Sequence, residues 1–298
     1  MKRLLDSIQI QTYRSFEVVL TDDSPDNEVF ELCRTHVLGE TIRYFKNKNP
    51  LGTPENWNES LRLAKGEWIK IMHDDDWFAV PDALKTFADT ALRNPGRDFF
   101  FSAYRNVFLS NKTSTEVYIS SKRREILDRN PKTLLSRNTI GPPSVTFHKK
   151  MPTIMYDGSL KWLVDVDFYI RFLNRAKPVY IPAVLIQVGR GEAQVTMAVF
   201  RNPQVEIPEN LYELNKIGVR SLLDIIVYDA YWRFIRNLDI RSLVQIRAAG
   251  YQKAVPPIIV SMISFQSAIP KVFLKSGICS KLLMSVHYIM EYPKIARG

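Results

Sequence analysis

Ile69-Lys70-Ile71-Met72-His73-Asp74-Asp75-Asp76-Trp77 is an apolar run that leads straight into three adjacent carboxylates. Like charges side by side repel, so a chain selected for stability alone rarely ends a strand this way. A hard divalent cation such as Mg²⁺ or Mn²⁺ reverses that penalty, because oxygen-rich sites suit it. Taken alone, the triplet leaves two readings open. It is either a cation or ligand site, or a solvated acidic turn in which Asp76 caps a helix.

The flanking sequence sets the context. Upstream, Thr53 suits an N-cap, Pro54 the first helical position and Glu55 the positive helix start. Trp57, Leu61 and Ala64 form the apolar face of that helix, and Gly66 ends it. Trp68 to Met72 then reads as a strand whose C-terminal end carries the triplet. Pro81 starts another helix with Leu84, Phe87, Ala91 and Leu92 inward, and Asp98 to Ser102 is again a strand. Earlier, Leu4 to Gln11 has helical spacing, and Phe16 to Thr21 is an apolar run suited to a strand buried on both faces. That run ends in Asp22-Asp23-Ser24-Pro25-Asp26, followed by a helix over Glu28 to His36 and a strand over Ile42 to Phe45. Strands alternating with helices predict an α/β domain with a mainly parallel sheet flanked by helices. Ligands bind outside the C-terminal strand ends of such sheets, so Asp22-Asp23 and Asp74-Asp75 are expected to face one crevice.

Beyond residue 103 the pattern is less regular. Ser110 to Ser114 reads as a hairpin tip, Lys122-Arg123-Arg124 as a solvated basic run, and Gly141-Pro142-Pro143-Ser144 as a rigid loop before a strand over Val145 to His148. A helix over Leu160 to Asn174 carries Asp165 and Asp167, which point about 200° apart, so one alone can face a given site. From about Met197 helices follow without strands, which divides the chain into 1–197 and a helical C-terminal region, 198–298.

Two cysteines, Cys33 and Cys279, without a CxxC argue against a disulfide scaffold or thiolate zinc site and fit a reducing compartment. Met1 to Asp6 is too short and too charged for a signal peptide, and no stretch offers the ~20 uninterrupted apolar residues of a membrane span. The net charge of +10 favours an anionic partner. From Arg241 onward there are eight Lys/Arg against the single acid Glu291, spaced among Ile, Phe, Leu and Met. That tail reads either as a membrane-surface element in peripheral contact with anionic lipid or as an ordinary helical domain with a basic exterior. No nucleic-acid-binding motif is present, and nucleic acid is not an expected partner.

The chain resembles the inverting family 2 glycosyltransferases of the GT-A fold, over roughly residues 4 to 197. The resemblance rests on motifs in order: Ser7-Ile8 to Gln11-Thr12-Tyr13; Phe16 to Asp22-Asp23-Ser24; Asn58 before Ala64-Lys65-Gly66-Glu67-Trp68-Ile69; and Asp74-Asp75-Asp76-Trp77 with Pro81-Asp82. Trp162 to Asp165-Val166-Asp167-Phe168 and Gln194-Val195-Thr196 follow. It implies a transferase that moves a sugar from a nucleotide-diphosphate donor to a glycan or lipid-linked acceptor with inversion, in surface polysaccharide synthesis. It places the activity in the cytoplasm or on the inner face of the membrane. It implies that Asp22 and Asp23 contact the nucleotide, with Asn58 an even choice between binding and a solvated helix face. Asp74 falls on the ribose side, Asp75 ligates a divalent metal (Mg²⁺ or Mn²⁺), and Asp165 is the general base with Asp167 as fallback.

This chain departs from the family pattern in four places. It begins inside the helix that follows the family's first strand, a strand that lies mid-sheet, so the expectation is a late start codon or a truncated gene. His73 stands where many members carry the first Asp of Asp-x-Asp, and it reads as a supporting polar residue. Val164 replaces a Glu, and Glu192 is the nearest replacement for a metal-binding His. The rival reading is a truncated, non-catalytic remnant that binds without turnover.

Overall fold

The alternation of helices and strands becomes, in the computed structural model, a mixed sheet in two pieces with helices packed on it. The structure describes residues 1–191 and 200–297. The expected boundary at 197 and 198 lies outside the described residues, as do Glu192 and Gln194-Val195-Thr196. Two units partition the chain, Met1–Arg129 with Thr139–Gln194, and Asn130–Asn138 with Val195–Gly298.

In the first unit, β1 (Val18–Asp22) pairs in parallel with β2 (Ile42–Lys46), and α2 (Glu28–Thr35) connects them. The second piece runs β3 (Trp68–Ile69), β7 (Thr146–Lys149), β5 (Phe99–Phe108), β8 (Pro178–Arg190), β4 (Trp77–Phe78), with β6 (Thr113–Val117) added on β5. β5 and β8 run parallel, whereas β3–β7, β5–β7, β5–β6 and β4–β8 are antiparallel. The sheet is therefore less parallel than helix–strand alternation implies. The expected hairpin at Ser110 to Ser114 joins β5 to β6, and β4 is too short to form a full crossover partner. Among the described residues no strand bridges the two pieces. Side chains link them instead. Glu17, just before β1, accepts bonds from the Lys65 and Gly66 backbone N–H groups (2.5 and 2.9 Å) and from Arg43 on β2 (2.5 Å).

α1 (Lys2–Gln9) packs on β4, α3 (Glu55–Leu63) on β1, and α4 (Ala83–Arg93) on β8. Gln11 locks the first of these. Its buried amide donates to Ser7 and Val80 carbonyls (3.0 Å each) and accepts from the Leu84 N–H (2.9 Å). Phe99, Phe100 and Phe101 are all fully buried, as a strand covered on both faces requires. α6 (Val164–Leu173) adds Phe168, Tyr169 and Phe172 to that core.

Several boundaries differ from the sequence reading. The strand expected to run to Met72 stops at Ile69, because the next residues turn toward Ser144. The Lys70 ammonium donates to the Ser144 carbonyl, and the His73 N–H to the Ser144 hydroxyl (3.0 Å), in place of a ladder. Leu92 faces solvent at 79% exposure, since the burying face of α4 runs through Ala83, Leu84, Phe87, Ala88 and Ala91. The late helix starts at Val164, not Leu160, which puts Asp165 in its first turn.

The second unit is helical: α7 (Pro203–Ile217), α8 (Ile225–Asn237), α9 (Leu243–Ala248), α10 (Pro257–Ser267), α11 (Lys271–Lys275) and α12 (Gly277–Arg297). α7 ends at Gly218, whose φ of 80° is costly for any other residue. Asp224 then caps α8 by accepting from Ile226 N–H (2.8 Å) and Val227 N–H (3.4 Å). Trp232, Tyr228 and Tyr231 fill the centre against Leu211, Leu214, Ile259 and Met262. No described helix is long and apolar enough to cross a membrane. Trp232 is fully buried and donates its indole N–H to the Ser280 hydroxyl (3.1 Å). Trp232→Ala is expected to lower unfolding free energy by about 3–5 kcal/mol, read as the shift in the urea midpoint.

Candidate active site

The triplet sits in a turn after β3, closed by an Asp76 N–H to His73 carbonyl bond of 3.1 Å. The turn sends its carboxylates in different directions. Asp74 is exposed and Asp75 partly so, while Asp76 is 2% exposed. Asp76 therefore does not cap the next helix; Asp82 holds the N-cap position of α4. Instead Asp76 points inward and accepts the Gly189 N–H of β8 at 3.1 Å. Burial, with Asp75 beside it, pushes the Asp76 carboxyl up to about 7, against the pull of Ser144, Gly189 and Lys70. Lys70 lies beneath, buried, and burial brings its ammonium down to about 7 even though Asp76 opposes the shift.

His73, Asp75 and Asp76 each offer a ligand atom within 4.8 Å of the others. Burial lowers the pKa of His73, which keeps the imidazole neutral, the form that ligates metals. The His73 Nε2 and one Asp76 oxygen, Oδ2, are buried without a hydrogen-bond partner. The His73 ring approaches Asp76 through Nδ1, 3.9 Å from Oδ2, and an unsatisfied carboxylate oxygen beside a neutral imidazole fits a cation. His73 is thus placed as a member of the cluster and not as a remote support.

Three positions that the sequence reading passed over build this cluster. Ser144 fastens Lys70 and His73, as described above. Gly189 lets the backbones of β8 and the triplet touch, since a Cβ there would lie 2.3 Å from the Asp75 carbonyl. Lys70 supplies the buried positive charge. The one signal available was a lysine in an otherwise apolar run ahead of an acidic cluster.

The strand-end acids of β1 are held by partners of their own. Asp22 is buried, and each of its oxygens takes two donors: Ser24 N–H and hydroxyl (2.8 and 2.6 Å), then Tyr44 hydroxyl and Lys46 ammonium (2.6 and 3.0 Å). A carboxylate has about four acceptor sites, so Asp22 is saturated. Burial raises its pKa, but these donors outweigh burial and hold it at about 2. Asp23 takes Asn47 (2.6 Å) and the Leu51 and Gly52 N–H groups (3.1 and 2.7 Å), shaping the loop before α3 while remaining half-buried.

Asn58 is 1% exposed and so is not a solvated helix face. Its amide donates to Glu55 (2.8 Å) and the Tyr156 carbonyl (2.9 Å) and accepts the Tyr156 N–H (2.8 Å). Asn58 thereby pins the segment before α6 to α3. Rings continue the link. Trp57 stacks on His73 (4.6 Å between centroids) and meets Tyr156 edge-on (5.2 Å); Tyr156 stacks on Phe168 of α6 (4.2 Å). The first turn of α6 is thus joined to the triplet by contiguous packing. There Asp165 is half-buried and accepts its neighbour Val166 N–H (2.8 Å). Asp167 is fully buried and forms a two-point ion pair with Arg171 (2.8 and 2.5 Å), which itself donates to the Met155 carbonyl (2.6 Å). Of the two acids, Asp165 is the one with a solvent-facing side.

The family model "Glycosyl transferase family 2" matches residues 1–151, half of the chain. The chain belongs to that family. An uncharacterized glycosyltransferase of Haemophilus influenzae is 27% identical over 60% of this chain and 58% of its own length. The putative colanic acid biosynthesis glycosyl transferase WcaA of Escherichia coli is 24% identical over 65% of this chain and 70% of its own. Among solved structures, Staphylococcus aureus TarS 1–349 in complex with UDP-GlcNAc superposes with a TM-score of 0.55 at 14% identity, over 98% of this chain and 85% of TarS 1–349. The mannosyltransferase PcManGT of Pyrobaculum calidifontis, with GDP-Man and Mn²⁺, gives 0.53 at 15% identity, over 97% and 81%. At such identities the likeness shows the fold, which is GT-A with C-terminal helices. Within this family 2 chain, the titration of Asp76 makes a measurable difference. Its raised pKa means that its contribution to stability is present at low pH and lost as pH rises through about 7. The melting temperature of Asp76→Asn, measured without metal, should exceed that of the native chain at pH 8, and the gap should shrink by pH 5.5.

Proposed function

We propose that the chain is a metal-dependent, inverting glycosyltransferase that uses a nucleotide-diphosphate sugar. The observation that carries this reading is the convergence of His73, Asp75 and Asp76 in a family 2 fold, with a buried Asp76 oxygen left unsatisfied. Asp75, with His73 and Asp76, would hold Mg²⁺ or Mn²⁺. When bound, such an ion supplies charge neutralisation for a departing diphosphate. Asp74 and Asp23 offer carboxylate oxygens to the donor's ribose and base. Asp22 and Asn58 hold the walls in place.

In the proposed transfer, the acceptor hydroxyl oxygen attacks the anomeric carbon from the face opposite the diphosphate. Its O–H bond breaks as the new C–O bond forms, and the proton passes to the Asp165 carboxylate. The anomeric bond to the diphosphate breaks, its electron pair leaves with the nucleoside diphosphate, and configuration inverts. Arg171 keeps Asp167 out of this chemistry by pairing with it.

The relative named for colanic acid biosynthesis supports a glycan or lipid-linked acceptor, as in surface polysaccharide synthesis. Two free cysteines fit action on the cytoplasmic side. Asp165→Asn should reduce transfer by about 10³-fold or more while nucleoside diphosphate affinity stays within about twofold. Asp75→Ala should weaken both Mn²⁺-dependent binding and transfer. Calorimetry with UDP, GDP and dTDP plus Mn²⁺, beside a transfer assay, reads both effects. Absence of Mn²⁺-dependent nucleotide binding in the native chain would favour the non-catalytic reading, and full transfer by Asp165→Asn would remove Asp165 as the base.

A further inference from the structure

α12 buries one side and leaves an apolar stripe on the other. Ser280, Met284, His287, Glu291 and Ile295 turn into the second unit and are buried. On the other side Ile278, Leu282, Val286, Ile289 and Met290 are exposed at 78, 63, 51, 70 and 56%. Their spacing places them within about 120° of one another on a helix. The neighbouring α11 adds Val272 and Phe273, exposed at 69 and 51%. Between these helices lies a cavity of about 290 Å³ lined by Ile269, Phe273, Cys279, Leu282 and Leu283. Contiguous exposed apolar patches of this kind mark interaction surfaces.

The charges around the patch indicate what covers it. From Lys271 to Arg297 there are five basic residues, and the one acid, Glu291, is buried and bonded to Ser261 (2.9 Å) and Lys294 (2.8 Å). Lys271 and Lys281 pair with Asp239 and Asp229, while Lys275 and Arg297 form no ion pair among the described residues. A two-fold contact with a second copy would set the same basic rim against itself, because such interfaces are self-complementary. An anionic lipid surface gives the rim counter-charges and the stripe an apolar medium. α12 is not long and apolar enough to span a bilayer. The remaining geometry is a helix lying in the interface, with lysine stems reaching outward to headgroups.

We propose that the exposed face of α11 and α12 docks on an anionic phospholipid bilayer, with Ile278, Leu282 and Ile289 inserted and Lys275 and Arg297 at the headgroups. The proposal rests on the second unit alone, so its failure leaves the transferase reading intact.

The test is co-sedimentation of the full chain with vesicles of phosphatidylglycerol and phosphatidylcholine, and with phosphatidylcholine alone. The native chain should sediment with the anionic vesicles, and about tenfold more weakly with neutral ones or in high salt. The triple variant Ile278→Glu, Leu282→Glu, Ile289→Glu should lose at least about tenfold in affinity, with an unchanged circular dichroism spectrum because all three side chains are already in water. Leu92→Glu, an equally exposed apolar position in the first unit, should bind like the native chain. Three outcomes overturn the proposal: no sedimentation of the native chain with anionic vesicles, equal binding by the folded triple variant, or equal binding to neutral vesicles. A native dimer that the triple variant dissociates, with no lipid binding by either form, also overturns it and assigns the face to a second copy.

Discussion

The first unit is built around the burial of one carboxyl beside two others. Asp76 sits in the interior next to Asp75, where an ionised group without partners costs several kcal/mol. Three distant segments answer that demand. β8 brings the Gly189 N–H, the Pro142-Pro143 loop brings Ser144, and the end of β3 brings Lys70. Each of these constraints has a visible structural consequence. Strand β3 is short because its continuation turns to Ser144. β8 runs close to the triplet because position 189 lacks a side chain. The site is the point at which the fold's segments are tied together.

The same economy runs from α3 to α6. Asn58 and Trp57 are adjacent on α3 and face different neighbours. Asn58 fixes the Tyr156 backbone from both sides, and Trp57 wedges its ring between His73 and Tyr156. Tyr156 then carries Phe168, three residues beyond Asp165. Asp167, two residues beyond Asp165 on the same helix, is fully buried and paired with Arg171.

The α/β class was legible because it depends on local periodicity, and so was the placement of Asp22 at the end of β1. The support of the site was not. Ser144 is 74 residues from Lys70, and Gly189 is 113 residues from Asp76, so no window of sequence contains either relation. The surroundings of Asp22 and Asn58 were not legible for a related reason. A polar residue at a strand end or on a helix looks the same whether its lone pairs await a ligand or are already filled, and Tyr44, Lys46 and Tyr156 fill them. For the tail, sequence spacing left a membrane-surface element and an ordinary helical domain both open, and only the packing separates the buried side of α12 from its exposed stripe.

Buried histidines separate ligand sites from structural polarity in this chain. His287 is enclosed, yet both its nitrogens are engaged, Nδ1 with the Tyr228 hydroxyl at 2.5 Å and Nε2 with the Ser261 hydroxyl at 3.2 Å, and Ser261 goes on to Glu291. A closed network of that kind specifies packing and leaves no valence for a ligand. His148 has one nitrogen on the Lys149 carbonyl and the other among Phe99, Phe168 and Phe172, and burial lowers its pKa to about 4. An orphaned atom facing only rings is a core histidine. His73 differs from both, because its ring lies in a cluster that also holds the unpaired Asp76 Oδ2 and a carboxylate of Asp75. Unsatisfied polar groups point to a ligand most where several lie close together.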